Sequence, residues 1–183
     1  MSAPTPTPEQ LTFWLTNLEA LRAMWTKVDP KNVDLDTYGQ NTACGTVACL
    51  AGWACSAGLL DGVIKLVPRK DGPTLRGRHQ FIAVSCDFDD VFERYTSAAE
   101  ASMQRRDDAL DAHYGPYGHE LFDTRDNGYF DVAIEESMDE DAYEELTDWE
   151  LAMKRIELQI FRIQEMQRAL PAFTSTFAPT TSA

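Results

Sequence analysis

The sequence predicts a mainly α-helical, compact domain with three long helices near residues 8–28, 87–111 and 148–169. A shorter helix and a small β-hairpin fall between the first and second of them. Three observations carry this. Apolar residues recur at helical spacing in three separate stretches, capping boxes open two of those stretches, and two short β-branched runs flank a turn signal.

Thr7, Pro8, Glu9 and Gln10 form the first capping box, with proline at the first helical position. Leu11, Trp14, Leu15, Leu18, Leu21, Trp25 and Val28 then make one stripe at spacings of three and four, and Asp29 followed by Pro30 stops it. Such a stripe reads as core. A second helix is expected from Thr46 to Gly58, rich in Ala48, Ala51, Gly52, Ala54 and Ala57, with Gly58 as its C-terminal glycine. Its thin face lets another backbone approach closely, which offsets the helical cost of Gly52, up to ~1 kcal/mol. Residues 63–67 and 81–85 read as hairpin strands on either side of Lys70, Asp71, Gly72 and Pro73, with a loop and an extended return as the alternative.

The third helix, 87–111, is marked by Phe88, Val91, Phe92, Tyr95, Ala98, Ala99, Met103 and Leu110, and broken by the Gly115 to Gly118 stretch. A short acidic helix is expected over 134–146. Thr147 and Glu150 open the last helix with a second capping box, and Leu170 with Pro171 ends it. Its stripe of Trp149, Ala152, Met153, Ile156, Ile160, Ile163 and Leu170 is widened by Leu151, Leu158, Phe161 and Met166. So broad a surface is either central or covered by a second copy, making 148–169 the candidate homo-oligomer contact. Residues 1–7 and 174–183 read as extended tails around a single domain at 8–173.

The 183 residues are 44% hydrophobic and 25% charged, which argues against wholesale disorder. The charge is uneven. Residues 87–183 hold 23 acids and 8 bases, a net of −15, against −14 for the whole chain. Residues 131–150 hold 10 acids and no base. A chain of this charge is repelled by nucleic acid and anionic lipid, so the expected partner is a basic protein surface. The candidate contact residues are Glu135, Glu136, Asp139, Glu140, Asp141, Glu144 and Glu145. The competing reading is a solvated face that serves solubility. No apolar stretch approaches the ~20 residues of a membrane span, and the first residues carry no secretory signal. The expected compartment is a cytoplasm with reduced thiols.

Catalytic and cofactor motifs do not emerge. GxxxxGK[ST], GxGxxG, GxSxG and HExxH are missing. Cys44, Cys49, Cys55 and Cys86 with His79, His113 and His119 lack zinc-knuckle spacing, and Cys49 and Cys55 lie about 600° apart around a helix. They read as structural thiols, with Cys44 placed before a helix start where a thiol is more reactive. Asp123, Asn127, Gly128 and Asp131 match parts of a calcium loop, but Arg125 and Ile134 occupy positions that need oxygen ligands. No metal and no cofactor are expected, and no residue is assigned a catalytic role.

Cys44, Gly45, Thr46, Cys49, Ala51, Gly52 and Trp53 form a CGTxxCxAGW pattern. This resembles a motif of small proteins of tailed phages, prophages and their bacterial hosts, and residues 150–156 loosely resemble a later acidic helix in such proteins. The resemblance implies a phage-type accessory protein and brings no activity with it. Three function classes stay open. One is a non-enzymatic accessory factor that binds a host or defence protein through its acidic surface, as an inhibitor or a mimic of nucleic-acid charge. Another is a virion-associated structural protein. The last is a small-molecule or metal-binding protein built on the 44–55 helix.

Overall fold

A computed structural model describes residues 5–35, 40–42, 45–47, 49–68, 79–85, 97–122 and 129–176. The fold is mainly α-helical, as the periodicity predicts. Helix α1 spans Pro8–Trp25 and opens on the expected capping box: the Gln10 amide donates to the Thr7 hydroxyl at 3.2 Å and the Thr7 amide to the Gln10 side chain at 2.8 Å. Leu11, Leu18, Leu21 and Trp25 are fully buried. Each such residue contributes roughly 1.5–3 kcal/mol when taken from water. A 3-10 turn at Pro30–Asn32 follows the expected stop.

The next stretch corrects the helix expected from Thr46. Strands β1 (Gln40–Thr42) and β2 (Gly45–Val47) pair antiparallel, so Gly45 and Thr46 are strand residues. The β-branched Thr46 and Val47 prefer a pleated backbone, a signal outweighed in sequence by the alanines that follow. Helix α2 is only Leu50–Ser56, with Cys49 at its N-cap. Its end is a full Schellman closure. Gly58, at φ 74°, donates to the Cys55 carbonyl and Leu59 to the Ala54 carbonyl, each at 3.0 Å.

The expected hairpin is present as β3 (Ile64–Pro68) and β4 (His79–Ala83), with Ile64 opposite Ala83 and Pro68 opposite His79. Helix α3 is Ser97–Tyr114, and the predicted segment 87–96 lies outside the described residues. Its buried face is also shifted. Ser102, Leu110 and Tyr114 are buried, whereas Met103, expected in the stripe, is exposed. The large Leu110 and Tyr114, four apart, set the buried side, and the small Ser102 is buried eight residues before Leu110. A second 3-10 turn covers Gly118–Phe122.

In place of one helix at 134–146 there are two, α4 (Tyr129–Glu135) and α5 (Glu140–Glu144). Helix α6 spans Asp148–Thr176 and begins with the expected box, the Glu150 amide donating to Thr147 at 3.3 Å. It does not stop at Pro171. It runs on through residues 174–176 of the stretch read as a tail, leaving the Gln167 carbonyl without that proline's amide. Residues 177–183 lie outside the described residues.

Helix α6 is central. It packs against α1, α4 and the second 3-10 turn, and buries Leu151, Ala152, Ile156, Ile160 and Ile163. Its broad apolar surface is thus used largely within the chain. All four tryptophans join elements through the indole N–H. Trp25 donates to the Trp149 carbonyl and Trp149 to the Val28 carbonyl, at 3.0 and 3.1 Å, clasping α1 to α6. Trp53 donates to Asn32 and Trp14 to Ala112. Among the described residues no helix is long and apolar enough to cross a membrane.

Candidate partner-binding surface

The predicted contact residues occupy α4, α5 and the link between them. Glu135, Glu136, Asp139, Asp141, Glu144 and Glu145 are exposed, and the Glu140 side chain lies outside the described residues. Glu135 is the last residue of α4 and Glu136 follows it, while Glu144 and Glu145 close α5. Helix dipoles disfavour carboxylates at C-terminal ends, so local helix stability does not account for these four. Asp139 stands at the N-cap of α5 but makes no side-chain capping bond. None of these six exposed carboxylates forms an ion pair with another described residue.

The remaining acids of 131–150 do other work. Asp131 is buried and accepts two hydrogen bonds from the Arg155 guanidinium, from Nε at 2.7 Å and Nη2 at 2.5 Å. Asp148 accepts from the Leu35 amide at 3.0 Å. The Thr147 hydroxyl and amide donate to the Glu150 carboxylate and hold its pKa below the ordinary value. The acidic run is therefore two populations: buried or capping acids that build the fold, and exposed acids that do not.

Beside the acids is a feature that sequence reading missed. Tyr117 and Tyr129 stack with ring centroids 5.1 Å apart, and both are nearly half exposed. The Arg162 guanidinium lies 4.9 Å from the Tyr117 centroid, 4.6 Å from that of Tyr129 and 5.8 Å from that of Phe130. Tyr117 has φ 65°, a left-handed conformation that costs a non-glycine residue roughly 1–2 kcal/mol. The turn that imposes it is held from several sides. Asn17 donates to the His113 carbonyl at 2.9 Å, and Gln159 donates to the Tyr114 and Pro116 carbonyls at 3.0 and 2.9 Å. The Asp111 carboxylate accepts the His119 amide at 3.0 Å and contacts His119 Nδ1 at 2.7 Å. The Glu120 carboxylate accepts the Tyr129 amide and so ties this turn to the start of α4.

The motif residues have a structural place. Gly45 and Thr46 lie in β2; Cys49, Ala51 and Gly52 are buried at the start of α2; Trp53 is half-buried; Cys44 lies outside the described residues. Burial raises the Cys49 thiol pKa, and that of Cys55 is pushed up to about 11 by burial, then by Cys49 and Asp61. Burial also raises the Tyr114 phenol, with Cys55 adding to it, and lowers the His113 imidazole. Burial favours the neutral thiol. Its share of stability is intact below the ordinary 9.0 and falls as pH rises through about 11. At pH 8 Cys55 is roughly one part in a thousand thiolate. Iodoacetamide is therefore expected to modify Cys49 and Cys55 far more slowly in the folded protein than in urea. Equal rates in the two states would refute this.

Among the described residues no group of three or more His, Cys, Asp and Glu is placed to hold a metal. The calcium-loop candidates Asp123, Asn127 and Gly128 lie outside the described residues, and Asp131 is committed to Arg155. A groove of about 740 Å³ runs between α1, the first 3-10 turn and α2, with Ala23, Met24, Lys27, Trp53, Ala57 and Leu59 among its lining. No protein-family model matches the chain, and neither does a curated protein or a solved structure.

Proposed function

We propose that this chain is a non-enzymatic accessory factor that docks on a basic surface of a host or defence protein through α4 and α5. The observation that carries the reading is the set of six exposed carboxylates with no ion-pair partner among the described residues. Four of them sit where their own helices are not helped by negative charge. Self-repulsion in such a face opposes folding, and a basic partner relieves it. The phage-type character rests on the resemblance of the Cys44 to Trp53 motif, and a bacterial cytoplasm is the matching compartment. A mimic of nucleic-acid charge is one form this inhibition takes.

The test is reversal of Glu135, Glu136, Glu144 and Glu145 to lysine, after a partner has been captured from host lysate with the parent protein. Electrostatic steering raises association rates by roughly 10- to 1,000-fold. The variant is expected to associate at least about tenfold more slowly and to lose the salt dependence of the rate. A folded variant with unchanged rate and salt dependence would leave the acids as solvated surface only.

A second reading draws on the groove beside α2, whose volume falls in the range of small-molecule sites. Its polar lining is sparse: Lys27, Asn32 and Ser56, with Asp29 already paired to Lys31 at 2.6 Å. The virion-associated alternative draws on the chain ends, of which residues 1–4 and 177–183 lie outside the described residues, and on the wide apolar surface of α6, of which Phe161 is exposed.

A further inference from the structure

We infer that Tyr117, Tyr129 and Val132 form the anchoring hot spot of this face, and that it takes an aromatic or aliphatic side chain projecting from a basic partner surface. This rests on the reading of α4 and α5 as the docking face, and specifies what that face grips.

Three observations place an anchor here. Tyr117, Tyr129 and Val132 are 43%, 47% and 55% exposed, so large apolar side chains stay in water without a cover among the described residues. Next, the chain holds Tyr117 in a strained left-handed conformation and still leaves the residue 43% exposed. Strain held by an over-determined turn at the surface is typical of a pre-organised contact. Last, Tyr129 and Val132 lie three apart along one side of α4, and the exposed Glu136 follows just past its end. The opposite side, with Phe130, Asp131 and Ile134, is buried. The aromatic platform thus runs directly into the exposed acids. An aromatic centre inside a charged rim is the anatomy of a protein-binding hot spot.

Charge decides the chemistry of the occupant. The exposed rim carries Glu135, Glu136 and Asp139 without described cations, which selects a basic surround. The anchor itself is not a cation. Arg162 already lies within 5 Å of both ring centroids, so a second cation on the same rings meets its repulsion. An uncharged ring or aliphatic chain stacks on the platform without that cost.

The experiment uses two synthetic lysine-rich peptides of equal length and charge, one carrying tryptophans where the other carries alanines. Affinities are measured by calorimetry on the full chain at about 150 mM salt, where exposed charges act over about 8 Å. The tryptophan peptide is expected to bind at least about tenfold more tightly. Tyr117→Gly with Tyr129→Ser is expected to abolish that preference, and so is Val132→Ser in part, a change that leaves both rings in place. Reversal of Glu135, Glu136, Glu144 and Glu145 is expected to weaken both peptides while preserving their ratio.

If both peptides bind the parent alike and with salt dependence, the basic-partner reading stands and the anchor falls. If neither binds in a salt-dependent way, both fall. Sedimentation that shows a dimer of the parent, lost with Tyr117→Gly and Tyr129→Ser, would also overturn the inference by assigning the platform to a second copy.

Discussion

Arg155→Met is expected to lower the unfolding free energy by about 3–5 kcal/mol, because it removes the cation that faces the buried Asp131 carboxylate. Arg155 is 0% exposed and Asp131 3%, and their two-point contact joins α6 to α4. Methionine fills much of the arginine's volume, so the loss reports the removed cation rather than a cavity. Asp131→Leu combined with Arg155→Met is expected to recover most of the loss, since replacing a whole buried pair by apolar groups is often neutral. The measurement is urea unfolding of the three variants, read as a shift in midpoint at constant slope. An Arg155→Met cost under about 1 kcal/mol, or a double variant as unstable as the single, would show that the pair is hydrated and not buried. The same pair fixes the buried side of α4 and so leaves Tyr129 and Val132 on its exposed side.

Gly115→Ala is the second large effect, expected at about 2–4 kcal/mol. Gly115 has φ 90°, and a Cβ there would stand 2.9 Å from Ile163 Cδ1 and 3.2 Å from two atoms of the Trp14 ring. Ile163 is fully buried and Trp14 nearly so, so neither side chain has space to retreat. Gly62→Ala is the control. Its φ is 77°, yet a Cβ would meet nothing within 4 Å, so only the conformational cost of about 1–2 kcal/mol is expected. Thermal or urea unfolding of both variants separates wedge from conformation. Equal costs would mean that α1 and α6 do not clamp the Gly115 turn.

Short-range rules were readable from the chain by itself. The stripe from Leu11 to Val28 and the Thr7 box depend on residues three and four apart, and α1 carries both. The Thr147 box, the Gly58 helix end and the hairpin of β3 with β4 are equally local, and each is present. Where two local signals competed, the reading failed. Thr46 and Val47 favoured strand while the alanines after them favoured helix, and the boundary came out at Leu50. Pro171 signalled a stop, yet a long helix anchored along α1 absorbs one missing amide bond near its end.

The sequence by itself determined that this is an acidic, mainly helical chain with two long stripes built for burial and a run of carboxylates at 131–150. Only the tertiary structure decided which of those carboxylates are buried and paired and which are exposed. Asp131 and Arg155 stand 24 positions apart, and composition cannot tell a buried, paired aspartate from the exposed Glu135 four residues later. Tyr117, Tyr129 and Arg162 come from a turn, a short helix and the last helix, and no periodic pattern links them. Their meeting follows from the packing of α4 and the second 3-10 turn on α6. Side-chain burial and pairing are set by which elements share a core, a long-range property of the folded chain, whereas caps and stripes are set by neighbours along it.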